Sequence, residues 1–519
     1  MNTPEIALPA QAGLSALHGF PPEHGAHYVT AAYLVLFTLI QPLAVHSAYF
    51  DITETKQICF LLLSAAYVLC VCGIRAYACA RARRLPDLRG IVRTLSASDC
   101  CMLAFAAMFC LSALLSPFPG EVLFGAANRY QGVLTIALYA ALWFCLSRNF
   151  AFHWVNEAAI AAGFCAVCAL AVLQAFGVDP FFLRFQLLPA DRPRYLSTLG
   201  NINFYSGYLA VLLPFFLTMW CGARGWRRFL YGGALACGAA GALFTGSESF
   251  MLAFVAMLLL APFLLFGRPR ALRRYFPGIM ILLAVMQVCF RLWRFAGASE
   301  LYVSFFMQTL LSPPVWTGTV LVCAALWVLV LKTRDSALVR CRKKYGRLLI
   351  ALLLLAAAFM LLANTAFSSR SFGAADRFLK LNESWGTDRG QIWRFCIEQF
   401  RMFQPLHRLL GGGPGCLYHL DAARNIFNDA SIDSAHNEFL HYLLTGGIVG
   451  LGCYLGLLIS SCAASMRRCA EHPLAGALLL CVLCYLAQSV VSIAQPVSTP
   501  YLFLFLGMLR ACVPSMGKI

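Results

Sequence analysis

Long apolar runs, repeated along almost the whole chain, are the feature that most constrains its fold. Each run is close to the length of about twenty residues that a helix needs to cross the hydrocarbon core of a bilayer. Of the 519 residues, 61% are hydrophobic and 12% are charged, whereas charged residues make up about a quarter of an ordinary soluble domain. The sequence therefore predicts an all-α, polytopic integral membrane bundle.

The runs predict about fourteen transmembrane helices in one membrane domain. The predicted spans are residues 28–48, 57–79, 99–116, 131–147, 156–177, 203–221, 228–245, 248–267, 276–296, 313–331, 348–366, 437–462, 473–494 and 497–512. The chain then divides into a tail at 1–27, a bundle of about eleven spans at 28–366, a polar loop at 367–436 with short amphipathic helices, and about three spans with a short tail at 437–519.

The distribution of Lys and Arg decides how to interpret the formal net charge of +18. Such a charge is compatible with nucleic-acid binding, but here the basic residues form blocks in alternate loops between apolar runs, as the positive-inside rule requires. The blocks are residues 75–93, 224–228, 268–274, 332–347 and 467–468. We therefore predict no nucleic-acid partner, both termini in the cytoplasm, and the loop at 367–436 outside.

The large outer loop contains two candidate segments, since a long ordered loop usually carries function. Thr387 or Asp388 can cap a helix that ends before Pro405. On this helix Arg389 and Trp393 share one face, and an arginine offers a planar donor fork for phosphate oxygens. The alternative interpretation is that both side chains anchor the helix at headgroup depth.

The second loop segment, residues 433–438, reads DSAHNE and leads into a predicted span. The dipole of that helix disfavours an imidazolium, so His436 should be neutral and able to accept a proton. In the alternative interpretation Asp433 or Ser434 caps the helix, Glu438 complements its dipole, and His436 is a wet interfacial residue. The spacing of these acidic and histidine side chains, with Asp429, matches no familiar metal motif, and we predict no metal or cofactor.

Two further segments place polar groups and glycine at predicted outer helix ends. Residues 128–132 read NRYQG and residues 200–208 read GNINFYSGY. Arg129 can meet an anionic headgroup or extend to the interface, and Asn201 can be no more than a helix cap. Each segment is ambiguous when it is considered alone.

Taken together and in order, the motifs resemble those of the O-antigen ligase and polymerase superfamily of bacterial membrane proteins. The segments that carry the resemblance are FGAANRYQG at 124–132, GNINFYSGYL at 200–209, TGS at 245–247, RGQIW at 389–393, GGGPG at 411–415, AHNEFL at 435–440 and GGIVGL at 446–451. The resemblance implies a metal-independent transfer of a glycan from a polyprenyl diphosphate carrier to a glycan, lipid or protein acceptor, on the outer face of the inner membrane and among membrane lipids.

The resemblance also assigns roles to residues. Arg389 and His436 fall on the family positions associated with activity, and Glu438 competes with His436 as the general base. Arg129, Tyr130, Asn201, Asn203 and Trp393 are then candidates for binding the donor diphosphate or substrate. Because ligases and polymerases differ in their acceptor, the sequence leaves both open, together with protein O-glycosylation. From another class, a transporter or flippase of lipid-linked glycan is the alternative.

The chain departs from the family pattern at one position. After TGS the family commonly has arginine, whereas this chain has Glu248. A carboxylate there would repel an anionic donor unless another cation compensates for its charge. The fourteen predicted spans also exceed the twelve that are usual in better-known ligases.

Overall fold

The computed structural model describes residues 22–83, 88–297, 301–420, 432–470 and 472–513. Nearly all regular structure in these residues is α-helix, so the predicted all-α membrane bundle is confirmed. Nine of the described helices are long and apolar enough to cross a membrane, and four shorter apolar helices accompany them. The chain is therefore a multi-pass membrane protein.

A helix lies at each of the fourteen predicted spans. Before the large loop, the helices are α1 (Pro22–Leu43), α2 (Ile52–Ala82), α3 (Leu88–Arg93), α4 (Ala97–Leu114), α5 (Val133–Asn149), α6 (Trp154–Ala175), α7 (Ile202–Gly222), α8 (Trp226–Ala242), α9 (Ser249–Leu265), α10 (Pro269–Phe295), α11 (Phe305–Leu310), α12 (Pro313–Lys332) and α13 (Asp335–Asn364). After them come α14 (Asp376–Leu379), α15 (Trp385–Met402), α16 (Pro405–Leu410), α17 (Cys416–His419), α18 (Glu438–Met466), α19 (Pro473–Ser489) and α20 (Thr499–Ala511). Strands β1 (Tyr195–Leu196) and β2 (Gly200–Asn201) pair antiparallel just before α7.

Helix boundaries differ from the prediction where charged residues extend a helix beyond its apolar run. The basic block at 332–347 was expected to form a loop, but most of it makes up the first part of α13. Lys and Arg are good helix formers, and their long side chains keep the charge in water while the helix continues. Hydropathy alone therefore placed the start of this helix too late.

Helix α7 lies at the centre of the bundle, because 94% of the residues in its 18-residue apolar stretch are buried. It packs against α8, α9, α10 and α19. A small residue permits the close approach of α8, because a Cβ atom on Gly238 of α8 would lie 2.8 Å from Leu213 Cδ1 of α7. By contrast, only 6% of the residues in the apolar stretch of α12, and the same share in α13, are buried, so these helices form the periphery that faces lipid.

A buried carboxylate ties three helices together at one end of the bundle. Asp99 on α4 has no exposed surface and accepts hydrogen bonds from Arg148 at 3.0 Å, from Trp143 Nε1 at 2.8 Å and from Arg510 at 3.3 Å. Removal of one partner from a buried ionic network leaves uncompensated charges and is strongly destabilising. This cluster therefore fixes α4 against α5 and α20.

We predict that Asp99→Ala lowers the free energy of unfolding by about 3 kcal/mol, because it leaves the two arginines unpaired. The measurement is the midpoint of thermal unfolding in detergent. A matched control is Asp335→Ala, since Asp335 also pairs with an arginine, Arg273 at 2.7 Å, but is 62% exposed; we expect a loss below about 1 kcal/mol. Equal midpoints for the two variants would contradict the prediction.

The large loop contains short helices, as predicted, and has its own hydrophobic core. The apolar face of α15 packs against α17 and the start of α18 through Ile392, Phe395, Cys396, Cys416, Leu417, Ile432, Ala435 and Leu444. Both cysteines in this cluster are free thiols. The loop core places α15 against the end of the bundle.

The GGGPG turn attaches the loop to α18. The backbone N–H groups of Gly412 and Gly413 donate to the carbonyls of Leu444 at 2.8 Å and Thr445 at 3.1 Å. Gly413 has φ +91°, a conformation that side-chain-bearing residues rarely adopt. The turn meets α18 where that helix breaks at Gly447, which has φ +69°.

Candidate functional site

Arg389 lies at the start of the regular part of α15, directly after a left-handed turn. Gly386, Thr387 and Asp388 have φ of +62°, +61° and +63°, so regular helix begins only at Arg389. The Arg389 side chain donates from Nε to the carbonyl of Val491 at 3.0 Å, and it also donates to the carbonyl of Gly386. These two backbone acceptors fix the orientation of the guanidinium.

The glycine after Arg389 is required by close packing. A Cβ atom on Gly390 would collide with the backbone carbonyl oxygen of Asn382. Burial lowers the pKa of Arg389 from its ordinary value, but an arginine stays charged at any physiological pH. The structure therefore holds a half-buried positive charge at the end of the bundle that the large loop covers.

Arg129 reaches the same region from the turn between α4 and α5. Its neighbours Asn128 and Tyr130 both have positive φ, +68° and +53°, so Arg129 stands between two residues with strained backbone. Arg129 Nη2 lies 2.8 Å from Asp433 Oδ1, whereas Arg129 Nε is buried and has no hydrogen-bond partner. The guanidinium thus keeps an unused donor.

His436 is close enough to these two cations to feel both charges, and its backbone has φ +47°. Its pKa is lowered to about 3, first by burial and then by the positive charges of Arg389 and Arg129. The imidazole is therefore neutral at physiological pH. Three residues from distant parts of the sequence thus come within electrostatic reach of one another, and each lies in a turn or at the start of a helix.

The helix cap differs from the alternative interpretation given above. Asn437, and neither Asp433 nor Ser434, caps α18, because its side-chain oxygen accepts from the N–H of Leu440 at 3.0 Å. Asp433 instead forms the ion pair with Arg129. The cap fixes the end of the helix, so His436 lies outside it.

Glu438 points into the bundle and is completely buried. Its carboxylate oxygens accept hydrogen bonds from the hydroxyl of Tyr454 at 2.5 Å and that of Tyr485 at 2.7 Å. The Tyr485 hydroxyl is in turn 2.9 Å from the Thr499 hydroxyl. This network joins α18, α19 and α20 and uses both carboxylate oxygens.

The other predicted residues join neighbouring structural elements. Asn201 caps α7 by accepting from the N–H of Asn203 at 2.8 Å, as its alternative interpretation held. Asn203 Oδ1 accepts from the hydroxyl of Ser247 at 2.7 Å, so the GNIN and TGS segments meet. Trp393 packs on Trp385 with ring centroids 5.1 Å apart, and its indole N–H is buried without a partner.

Glu248, at the position of the family arginine, lies near a cation. Arg377 Nη2 of α14 is 3.6 Å from Glu248 Oε1, and neither carboxylate oxygen accepts a hydrogen bond. Nothing in the sequence analysis pointed to Arg377, since it belongs to no motif. The partners Asp433 and Val491 were also not assigned to the site, because only the folded chain brings them near the arginines.

No three metal-ligating side chains come together in the part of the chain that the structure describes. Asp429, one member of the acidic set considered above, lies outside the described residues. The site is built mainly from cations and a neutral histidine, which is a donor set suited to an anionic ligand.

We predict that Glu438→Ala lowers the free energy of unfolding by about 1–3 kcal/mol, because two buried tyrosine hydroxyls lose their acceptor. The midpoint of thermal unfolding in detergent measures this loss. Glu398→Ala provides the comparison, since Glu398 pairs with Arg394 on the exposed side of α15. An unchanged midpoint for Glu438→Ala would show that the tyrosine network contributes nothing.

A family model described as O-antigen ligase matches residues 301–455 of the chain. The matched region contains α15, the GGGPG turn, His436 and the start of α18. A comparison with curated proteins found no match. The family match confirms the predicted resemblance to the O-antigen ligase superfamily.

Proposed function

We propose that this O-antigen ligase-type membrane protein transfers a glycan from a polyprenyl diphosphate carrier to an acceptor on the outer face of the bacterial cytoplasmic membrane. The family match supports a membrane glycan enzyme of the ligase or polymerase type. The proximity of Arg129 and Arg389 to a neutral His436 gives the strongest support for transfer from a diphosphate carrier.

Departure of a lipid diphosphate requires positive charge at the phosphate oxygens, where negative charge grows during transfer. Arg389 is held by two backbone carbonyls, so it is oriented before the donor arrives. Arg129, whose charge also reaches His436, keeps a buried, unused N–H donor. In this proposal the two guanidinium groups bind the diphosphate, and Trp393 and Tyr130 contact the donor at its edge.

The transfer step is a displacement at the anomeric carbon of the donor glycan. The acceptor hydroxyl oxygen forms a bond to that carbon, and the bond from the carbon to the phosphate oxygen breaks with its electron pair on the diphosphate. His436 takes the hydroxyl proton. The anionic donor offsets the charges of Arg129 and Arg389, and this raises the pKa of His436 when it is needed as a base.

Glu438 then has a structural role, because both its carboxylate oxygens are bound by tyrosines. We place the loop outside, both termini in the cytoplasm, and no resident metal or cofactor in the site. The acceptor is a glycan, a lipid or a protein. A polymerase that joins repeat units would use the same donor chemistry.

We predict that Arg389→Ala and His436→Ala each lower glycan transfer at least about 100-fold, because one removes charge stabilisation and the other the base. The assay follows consumption of polyprenyl-diphosphate-linked oligosaccharide in proteoliposomes with EDTA. Arg394→Ala is the matched control on the same helix, since Arg394 is 66% exposed and pairs with Glu383; it should transfer within about twofold of wild type. Transfer by the first two variants at the wild-type rate would overturn the assignment.

We predict that the acidic limb of kcat/KM lies below pH 5, because kcat/KM reports the free enzyme and the pKa of His436 there is about 3. The histidine stays neutral above its lowered pKa, so activity falls only at strongly acidic pH. Arg129→Gln should move the limb to higher pH because it removes a positive charge, whereas Arg129→Lys keeps the charge and should leave the limb in place. A wild-type limb near pH 6.5 would contradict this account.

A further inference from the structure

The ion pair between Glu248 and Arg377 joins the outer loop to the bundle at a second place. Glu248 precedes the first residue of α9 but makes no side-chain capping bond, and its carboxylate oxygens are buried without hydrogen bonds, so its negative charge depends on the nearby arginine. Arg377 lies over the rings of Phe305 at 5.0 Å and Phe378 at 5.1 Å. These rings hold the guanidinium beside Glu248.

A continuous series of contacts leads from this pair to Arg389. The residue after Arg377 is Phe378, whose carbonyl accepts from the indole N–H of Trp385 at 3.0 Å. Trp385 is followed directly by the left-handed turn that ends at Arg389. The position of α14 therefore affects, through Trp385, the turn that orients Arg389.

A second series of contacts connects Glu248 to Arg389 through helices of the bundle. Ser249, the residue after Glu248, accepts a hydrogen bond from Gln488 on α19 at 3.2 Å. Just beyond α19, the carbonyl of Val491 accepts from Arg389. The two attachments of the loop, at Glu248 and at Val491, therefore rest on the same pair of helices, α9 and α19.

We infer that Arg377 is a positioning residue of the proposed site, and that its ion pair with Glu248 holds the start of the outer loop so that Arg389 meets the donor diphosphate. This inference rests on the proposed function. It also accounts for the carboxylate at the position of the family arginine, because Arg377 compensates for its charge from the loop. The arrangement predicts that the two charges can be exchanged.

The test is a charge swap in the full-length protein in proteoliposomes. Arg377→Glu and Glu248→Arg, each alone, place like charges together, and we expect each to lower kcat/KM for the donor about 10- to 100-fold, as misplacement of a catalytic group does. The double variant Glu248→Arg with Arg377→Glu should return to within about threefold of wild type. Arg370→Glu is the control, because Arg370 is an exposed arginine of the same loop for which the described residues show no ion pair.

Hydrogen exchange provides a readout that does not depend on transfer. Arg377→Glu should increase amide exchange over residues 376–389, and the double variant should restore protection. Wild-type transfer by Arg377→Glu, or a double variant no better than the single ones, would overturn the inference while leaving the proposed function intact. Absence of transfer by the wild type would count against the proposed function, and unchanged exchange in Arg377→Glu would then still overturn the positioning role.

Discussion

The candidate site depends on the polar contacts that tie the large loop to the end of the helix bundle. Arg129, in the turn between α4 and α5, pairs with Asp433, and Arg389 on the loop donates to the Val491 carbonyl just beyond α19. The GGGPG turn adds backbone hydrogen bonds to α18. Together these contacts hold the loop and its small core against the helix ends.

Strained backbone concentrates at this junction. Asn128, Tyr130, Thr387, Asp388 and His436 are non-glycine residues with positive φ, and each is a candidate residue or is close to one in sequence. Such conformations cost of order 1–3 kcal/mol each and persist where the surrounding structure over-determines them. Here they direct side chains away from the helix axes, which regular helix ends would not do. The strained residues thus mark the three chain segments that form the candidate site, at residues 128–130, 387–388 and 436.

The sequence predicted the helices well and the directions of side chains less well. Each apolar run became a helix because a span must be about twenty residues long and satisfy its own backbone. The residues at the start of α18 show the limit. Asn437 is the cap, Glu438 turns inward to Tyr454 and Tyr485, and His436 lies where the charges of two arginines act on it. The sequence of these three consecutive residues does not indicate which side chain turns inward, because that depends on packing against α19 and α20. Arg377 escaped notice for the same reason, since its partner Glu248 lies on a distant helix.

The charges at the site link donor binding to proton transfer. Burial, and then the charges of Arg129 and Arg389, lower the pKa of His436 and keep it unprotonated, and in the proposed function the same two arginines attract the diphosphate. By thermodynamic reciprocity, a donor that raises the proton affinity of His436 must itself bind more tightly when the proton is present. In the proposed reaction, the proton that His436 takes and the charge on the departing diphosphate lie in the same cluster, so each compensates the other. A histidine held neutral by its neighbours is therefore consistent with a base that acts only when the anionic donor is bound.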